Sequence, residues 1–132
     1  MAATHTLEVQ TTKRSELLDI TAQVGALVRS SGVKDGLCTV FCPHTTGAIT
    51  INENADPDVK DDLLAALERI VPNRGFKHAE GNSDSHVKTS LVGPSVTILI
   101  EGGALRLGTW QGLYFCEFDG PRRRKVWVQV LP

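Results

Sequence analysis

Three imidazoles are the side chains in this sequence best suited to carrying chemistry: His44 and, much further along, His78 and His86. His44 opens a stretch from Cys42 to Asp58 that brings an imidazole, the hydroxyls of Thr45 and Thr46, the amide of Asn52 and the carboxylate of Glu53 into one segment. A loop that only joins two strands is more often short and rich in Gly, Asn and Ser. His78 and His86 bracket Ala-Glu-Gly-Asn-Ser-Asp-Ser, a polar connection able to fold back so that both rings face one point. Three imidazoles with no obligatory thiolate suit Zn²⁺ or another late first-row ion, and leave a position open for water or substrate. The spacing is not that of H-E-x-x-H. The competing reading, two solvated loop histidines and a hydrogen-bonded His44, stays open on spacing alone. His5, in an alternating segment, reads as a partly exposed strand residue.

Other groups compete for a role. Glu53 is suited to be a general base or to orient a histidine, whereas Asp56, ahead of Pro57, reads as a helix cap. Asn82 and Asp84 sit between the later histidines, where they could meet a ligand or simply face water. Gly108-Thr109-Trp110-Gln111-Gly112 interrupts a β-branched region, as a bulge or a close backbone approach would. A core tryptophan with a satisfied N–H reads as well. Arg122-Arg123-Arg124-Lys125 offers guanidinium forks that match phosphate. The run leads a strand, so at most two of its cations share a face, and a solvated edge is the commoner use.

The elements that would position these groups follow from periodicity. Thr4 to Thr12 alternates as a half-buried strand, and Ser15 to Ile20 is a short return strand. Val24, Leu27 and Val28 keep helical spacing up to Gly32, a C-cap glycine. Leu37 to Cys42 and Ala48 to Ile51 are strands on either side of the His-Thr-Thr-Gly corner. Asp56-Pro57 starts a helix whose stripe Val59, Leu63, Leu64, Leu67, Ile70 and Val71 must face a core, and Pro72 stops it. A short helix spans Ser85 to Leu91. Ser95 to Glu101, Leu113 to Phe118 and a terminal strand over Val126, Val128 and Val130, with both faces covered, complete the pattern. About eight short, mainly antiparallel strands with two or three helices make an α+β domain.

With 132 residues the chain is one domain's worth, 1–132, large enough to bury a core without staples. Fourteen basic against fifteen acidic residues leave a net charge of -1, which gives no reason to expect nucleic acid or an anionic membrane. Small-molecule partners fit better. Cys38, Cys42 and Cys116 are odd in number and set in apolar runs, which suits reduced buried thiols in a cytoplasmic protein. No signal pattern and no membrane-length apolar run is present.

Taken together, His44-Thr45-Thr46-Gly47-Ala48-Ile49, Asn52-Glu53, Asp56-Pro57-Asp58-Val59, His78, Asn82 with His86, Gly108 to Gly112 and Gly120 to Arg124 resemble the YjbQ family of small proteins. The resemblance runs from about Gly36 to the end. It implies a compact α+β domain with a β-sandwich-like sheet, assembled as a homotrimer, with a pocket near subunit contacts. There His44, His78 and His86 would gather around a metal or an anion. It also implies secondary thiamine-phosphate synthase activity, joining a pyrimidinylmethyl diphosphate to a thiazole phosphate. Stabilising the leaving diphosphate would then fall to a metal, to Arg122 or Arg123, and to amides at Thr45 to Gly47. Asn52, Asn82, Thr109 and Gln111 would help to bind this small phosphorylated metabolite, with Glu53, His44 and His86 in catalytic roles. Position 47 is Gly where relatives carry Ala or Ser, a difference of no consequence to the ligand if only backbone amides contact it there. Diphosphate chemistry runs on Mg²⁺ with oxygen ligands, whereas an imidazole trio prefers Zn²⁺. A metal-dependent hydrolase of a small phosphate or ester, and a non-catalytic metabolite-binding trimer, are therefore the alternatives.

Overall fold

The computed structural model of the chain describes residues 3–132. In chain order these form β1 (Thr4–Gln10), β2 (Glu16–Asp19), α1 (Thr21–Ser31), β3 (Gly36–Phe41), β4 (Gly47–Glu53), α2 (Pro57–Ile70), α3 (Ser83–Val92), β5 (Ser95–Glu101), β6 (Ala104–Leu105), β7 (Gln111–Glu117) and β8 (Arg123–Leu131). The strands make two antiparallel sheets, ordered β1-β8-β3-β5-β6 and β2-β7-β4. The α+β class expected from the periodicity is the one observed. Among the described residues no helix is long and apolar enough to cross a membrane.

Local chemistry explains the helices. The Asp56 side chain accepts from Asp58 N–H at 2.9 Å, and Pro57 follows at the first helical position, so α2 begins where Asp-Pro predicts. Helix α1 ends on Gly32, whose φ of 74° is left-handed backbone that glycine adopts without a Cβ penalty. Helix α3 starts two residues earlier than the sequence suggests, at Ser83 after Asn82.

Packing sets three layers. The inner face of the larger sheet (Cys38, Val40, Ile98, Val126, Val128) meets α1 and one face of the smaller sheet, with Ile49, Leu113 and Phe115 between them. The other face of the smaller sheet (Ala48, Tyr114, Cys116) packs under Leu63, Leu64 and Leu67 of α2. Strand β7 therefore lies between two layers, which is why Leu113 to Phe118 is buried throughout. The two-sided burial expected for the terminal strand belongs to β7 instead. On β8, Val126, Val128 and Val130 face the core while Trp127 and Leu131 remain 42% and 39% exposed. Beside them Leu37, Phe41 and Leu99 continue an open apolar face, with Phe41 stacked on Trp127 at 5.9 Å between ring centroids. Cys38, Cys42 and Cys116 are all free and buried, as their apolar settings predict.

Gly47 marks a close approach. A Cβ there would come within 2.7 Å of Phe115 Cζ and 3.3 Å of Cys116 O, both in the packed interior. Gly47→Ala should destabilise the fold by about 1–3 kcal/mol, the usual cost of overpacking, and a urea midpoint matching that of the unmodified protein would refute this.

Candidate functional site

Four segments remote in sequence meet at one end of the molecule. The corner Pro43–Thr46 leaves β3, the start of α3 lies across from it, and the turn Asp119–Arg124 closes the third side, around a cleft of about 370 Å³. The segment after β1 supports the floor from below. Thr11 Oγ donates to Glu117 Oε1 at 2.8 Å and accepts from Arg122 N–H at 2.8 Å.

The floor is built on an ion pair. Glu117 is fully buried and the Arg124 side chain is 3% exposed. Arg124 Nε donates to Glu117 Oε1 at 2.9 Å, and Nη2 donates to Glu117 Oε2 and to Thr46 Oγ1, the latter at 2.8 Å. Nη1 has no partner among the described residues and is not one of the buried orphaned atoms, so it is the part of the guanidinium that meets the cleft. Phe118 N–H donates to Thr46 O at 3.2 Å, fixing the corner from the other side. Arg122, at the rim, donates to the Asp119 carboxylate at 3.0 Å.

His44 enters this frame with its Nε2 already engaged. Lys125 N–H donates to it at 2.9 Å. Burial holds the imidazole below its ordinary pKa, and the Arg124 charge adds to that, so the ring is neutral at physiological pH. His86, half-buried on α3, lines the same cleft. His78 packs edge-on against His86 at 5.8 Å between centroids, and it shares Nδ1 with Ser83 Oγ at 3.0 Å. The carboxylate of Glu80 lies 3.5 Å from His78 Nε2.

Helix α3 is held down by its underside. Asp84, fully buried, accepts two hydrogen bonds from Arg14 at 2.9 and 3.1 Å and lies 3.4 Å from the buried Lys88 ammonium, which also pairs with Glu68. Burial alone would raise the Asp84 pKa, but the Arg14 hydrogen bonds, with the Arg14 and Lys88 charges, outweigh it and leave the carboxyl below its ordinary value. A lowered carboxyl pKa contributes stability that is present above the unfolded value, near ~3.9, and is lost as pH falls through the folded one. The protein should therefore lose stability as pH drops below about 4. Asp84→Asn should be less stable at pH 7 and show a shallower acid limb in denaturant melts, whereas an unchanged limb would dismiss the role given to Asp84.

The match to known proteins is extensive. The family described as UPF0047 protein YjbQ-like matches residues 5–132. The chain belongs to this YjbQ-like family. The UPF0047 protein YugU of Bacillus subtilis is 49% identical over 128 residues, covering 96% of this chain and 97% of its own. The UPF0047 protein MJ1081 of Methanocaldococcus jannaschii is 53% identical over 125 residues, covering 94% and 91%. Among solved structures, an uncharacterised conserved YjbQ/UPF0047 protein of Clostridium acetobutylicum superposes with a TM-score of 0.94 at 54% identity, covering 96% of this chain and 99% of that one. A YbjQ-like protein of unknown function from Sulfolobus solfataricus does so with a TM-score of 0.94 at 32% identity, covering 98% and 96%.

Within this YjbQ-like chain the expected site residues divide into two groups. His44, Thr45, Thr46, Asn82, His86 and Arg122 share the cleft. Asn52, Glu53, Thr109 and Gln111 lie at the opposite end of β4, where Glu53 pairs with Gln111 across the ladder. The seven-residue strand from Gly47 to Glu53 puts about 20 Å between the two groups at ~3.3 Å per residue. Asn52 Oδ1 accepts from Glu53 N–H at 2.7 Å, and Gln111 Oε1 accepts from Gly108 N–H at 2.8 Å, so both amides are engaged locally. Glu53 therefore cannot act as a base in the cleft of its own chain.

The three-histidine centre is likewise not built within one chain. Among the described residues no three His, Cys, Asp or Glu side chains converge closely enough to hold a metal ion. His78 and His86 are neighbours, but His44 offers Nε2 to a backbone amide. These residues do not fit a Zn²⁺ or Mg²⁺ site in a single chain. Glu117 and Asp119 were not among the residues expected at the site, and Arg124 was expected there only as one cation of the run Arg122 to Lys125. Arg124 carried a signal: it shares the parity of Val126, Val128 and Val130, the buried face of β8.

Proposed function

We propose that the cleft binds the phosphate or diphosphate of a small metabolite, and that the protein uses it for group transfer of the thiamine-phosphate synthase kind, working as a homotrimer. The observation that carries this is Arg124, a buried guanidinium neutralised by Glu117 on two nitrogens and turning its remaining amino group to the cleft. Arg122 stands at the rim and the Thr45–Thr46 corner is held rigid beside it. Such a preorganised donor set suits a phosphate oxygen on which charge grows. In the transfer, the thiazole ring nitrogen attacks the pyrimidinyl methylene, the carbon–oxygen bond breaks, and diphosphate departs with the electron pair. The protein's part is to orient the two substrates and to meet that charge.

Two features support the homotrimer. The open apolar face carrying Leu37, Phe41, Leu99, Trp127 and Leu131 is the kind of surface that associates. Glu53, Thr109 and Gln111 lie too far from the cleft to serve it in cis, and a head-to-tail ring would bring one chain's far end to the next chain's cleft. Light scattering should then give three copies of the 14.3 kDa chain.

The activity test is direct. Purified protein incubated with both phosphorylated precursors and Mg²⁺ should form thiamine phosphate and release diphosphate, and Arg124→Met should abolish this. Phosphate binding without any product would favour a second reading, a metabolite-binding module without turnover. That reading is supported by the absence of a nucleophile–base pair among the described residues lining the cleft. Within one chain, no three-ligand centre among the described residues supports the hydrolase alternative.

A further inference from the structure

The geometry points to His44 as a neutral imidazole that donates a hydrogen bond from Nδ1 to an anionic oxygen of the bound ligand. This assignment rests on the phosphate reading of the cleft and gives His44 a role different from a metal ligand or a base.

Lys125 fixes the place of the imidazole proton. A backbone N–H can only donate, so the 2.9 Å contact from Lys125 N to His44 Nε2 uses the lone pair of that nitrogen. A neutral imidazole carries one proton, which must then sit on Nδ1. The donor is not free to drift, because Lys125 is paired with Glu8 in the β1–β8 ladder of the larger sheet. The tautomer is therefore imposed by the sheet. Nδ1 has no partner among the described residues and is not one of the buried orphaned atoms, so its N–H is open to solvent where His44 lines the cleft. Charging the ring is opposed by burial and by Arg124 and Arg122; Glu117, which favours the charge, is already paired with Arg124.

The unpaired polar atoms of the cleft include two donors, His44 Nδ1–H and Arg124 Nη1, beside one acceptor, Asn82 Oδ1, which is buried without a donor. Two donors of this kind, one cationic and one neutral, fit a tetrahedral oxyanion that reaches the floor with two oxygens. They do not fit a metal ion, which would need the lone pair that Lys125 has taken.

Asparagine and glutamine separate the two nitrogens. The Asn amide lies near the position of imidazole Nδ1, and the Gln amide near that of Nε2. His44→Asn keeps a donor facing the cleft, while His44→Gln keeps only the contact to Lys125. Calorimetry with inorganic phosphate and pyrophosphate, in chelator-treated buffer, should show His44→Asn binding within about threefold of the unmodified protein and His44→Gln weaker by about tenfold to a hundredfold, the loss of a hydrogen bond to a charged group. Thermal melts establish that both variants are folded. Equal losses in the two variants, or retention by His44→Gln, would overturn the assignment. Unmodified protein that binds neither probe would overturn the phosphate reading itself. Nitrogen NMR of the His44 ring then decides the tautomer alone, and a proton on Nε2 at neutral pH would sink it.

Discussion

Arg124→Met should unfold about 10–20 °C below the unmodified protein and lose phosphate binding entirely. The reason is asymmetry: the arginine leaves, but Glu117 stays fully buried, holding only donors from Thr11 and the Asp119 amide. Stranding one partner of a buried ion pair costs about 3–5 kcal/mol. Replacing both partners with apolar side chains of similar volume is often neutral. Glu117→Leu combined with Arg124→Met should accordingly recover much of the lost melting temperature. It should not recover ligand binding, since the floor then has no cation. This pair of variants separates scaffold from site. A double variant that binds phosphate as the unmodified protein does would show that the cleft's charge lies elsewhere, and a single variant that melts normally would show that Glu117 is not buried as described.

Trp127→Glu should convert the proposed trimer to a monomer. Trp127 is 42% exposed, stacks only on Phe41, and stands in the middle of the open apolar face. Its replacement costs the isolated chain little, because the side chain lies outside both buried clusters. In an assembled interface, however, a carboxylate at that point would be desolvated without a partner, and central aromatic anchors dominate such contacts. Sedimentation of the variant should therefore show one 14.3 kDa chain with near-native thermal stability. A variant that keeps the mass of the unmodified protein would place any assembly on another surface.

Much of the architecture could be read from residue order, and the reasons are local. Asp56-Pro57 caps α2 because a carboxylate and a preset φ act within one turn. The alternation of Val96, Ile98 and Ile100 marks β5 because strand parity is a nearest-neighbour property. The site was harder, since its parts interact across the fold. His44 and His86 line one cleft, which spacing along the chain does not reveal. Glu53 lies away from the cleft of its own chain because a strand separates residues that a motif lists side by side, and β4 is long enough to carry Glu53 away from the corner at Gly47. Arg124 was taken for part of a solvated edge. Its parity with Val126 gave the clue, but its partner Glu117 lies in β7, and nothing along the chain pairs the two. The burial of β7 between two layers, and the exposure of β8 on one side, depend on sheet order, which is a property of distant pairings.

That order has a further bearing on biogenesis. The larger sheet places β8 between β1 and β3, so this strand is flanked on both sides by strands made long before it. Until Arg123–Leu131 arrives, β1 lacks its partner in this sheet and β3 keeps one edge unsatisfied, and the pairing that joins them must close long loops. Productive zipping of the sheet is consequently a late event in the life of each nascent polypeptide, and the interval before it is when the exposed strand edges most need shelter from neighbouring chains.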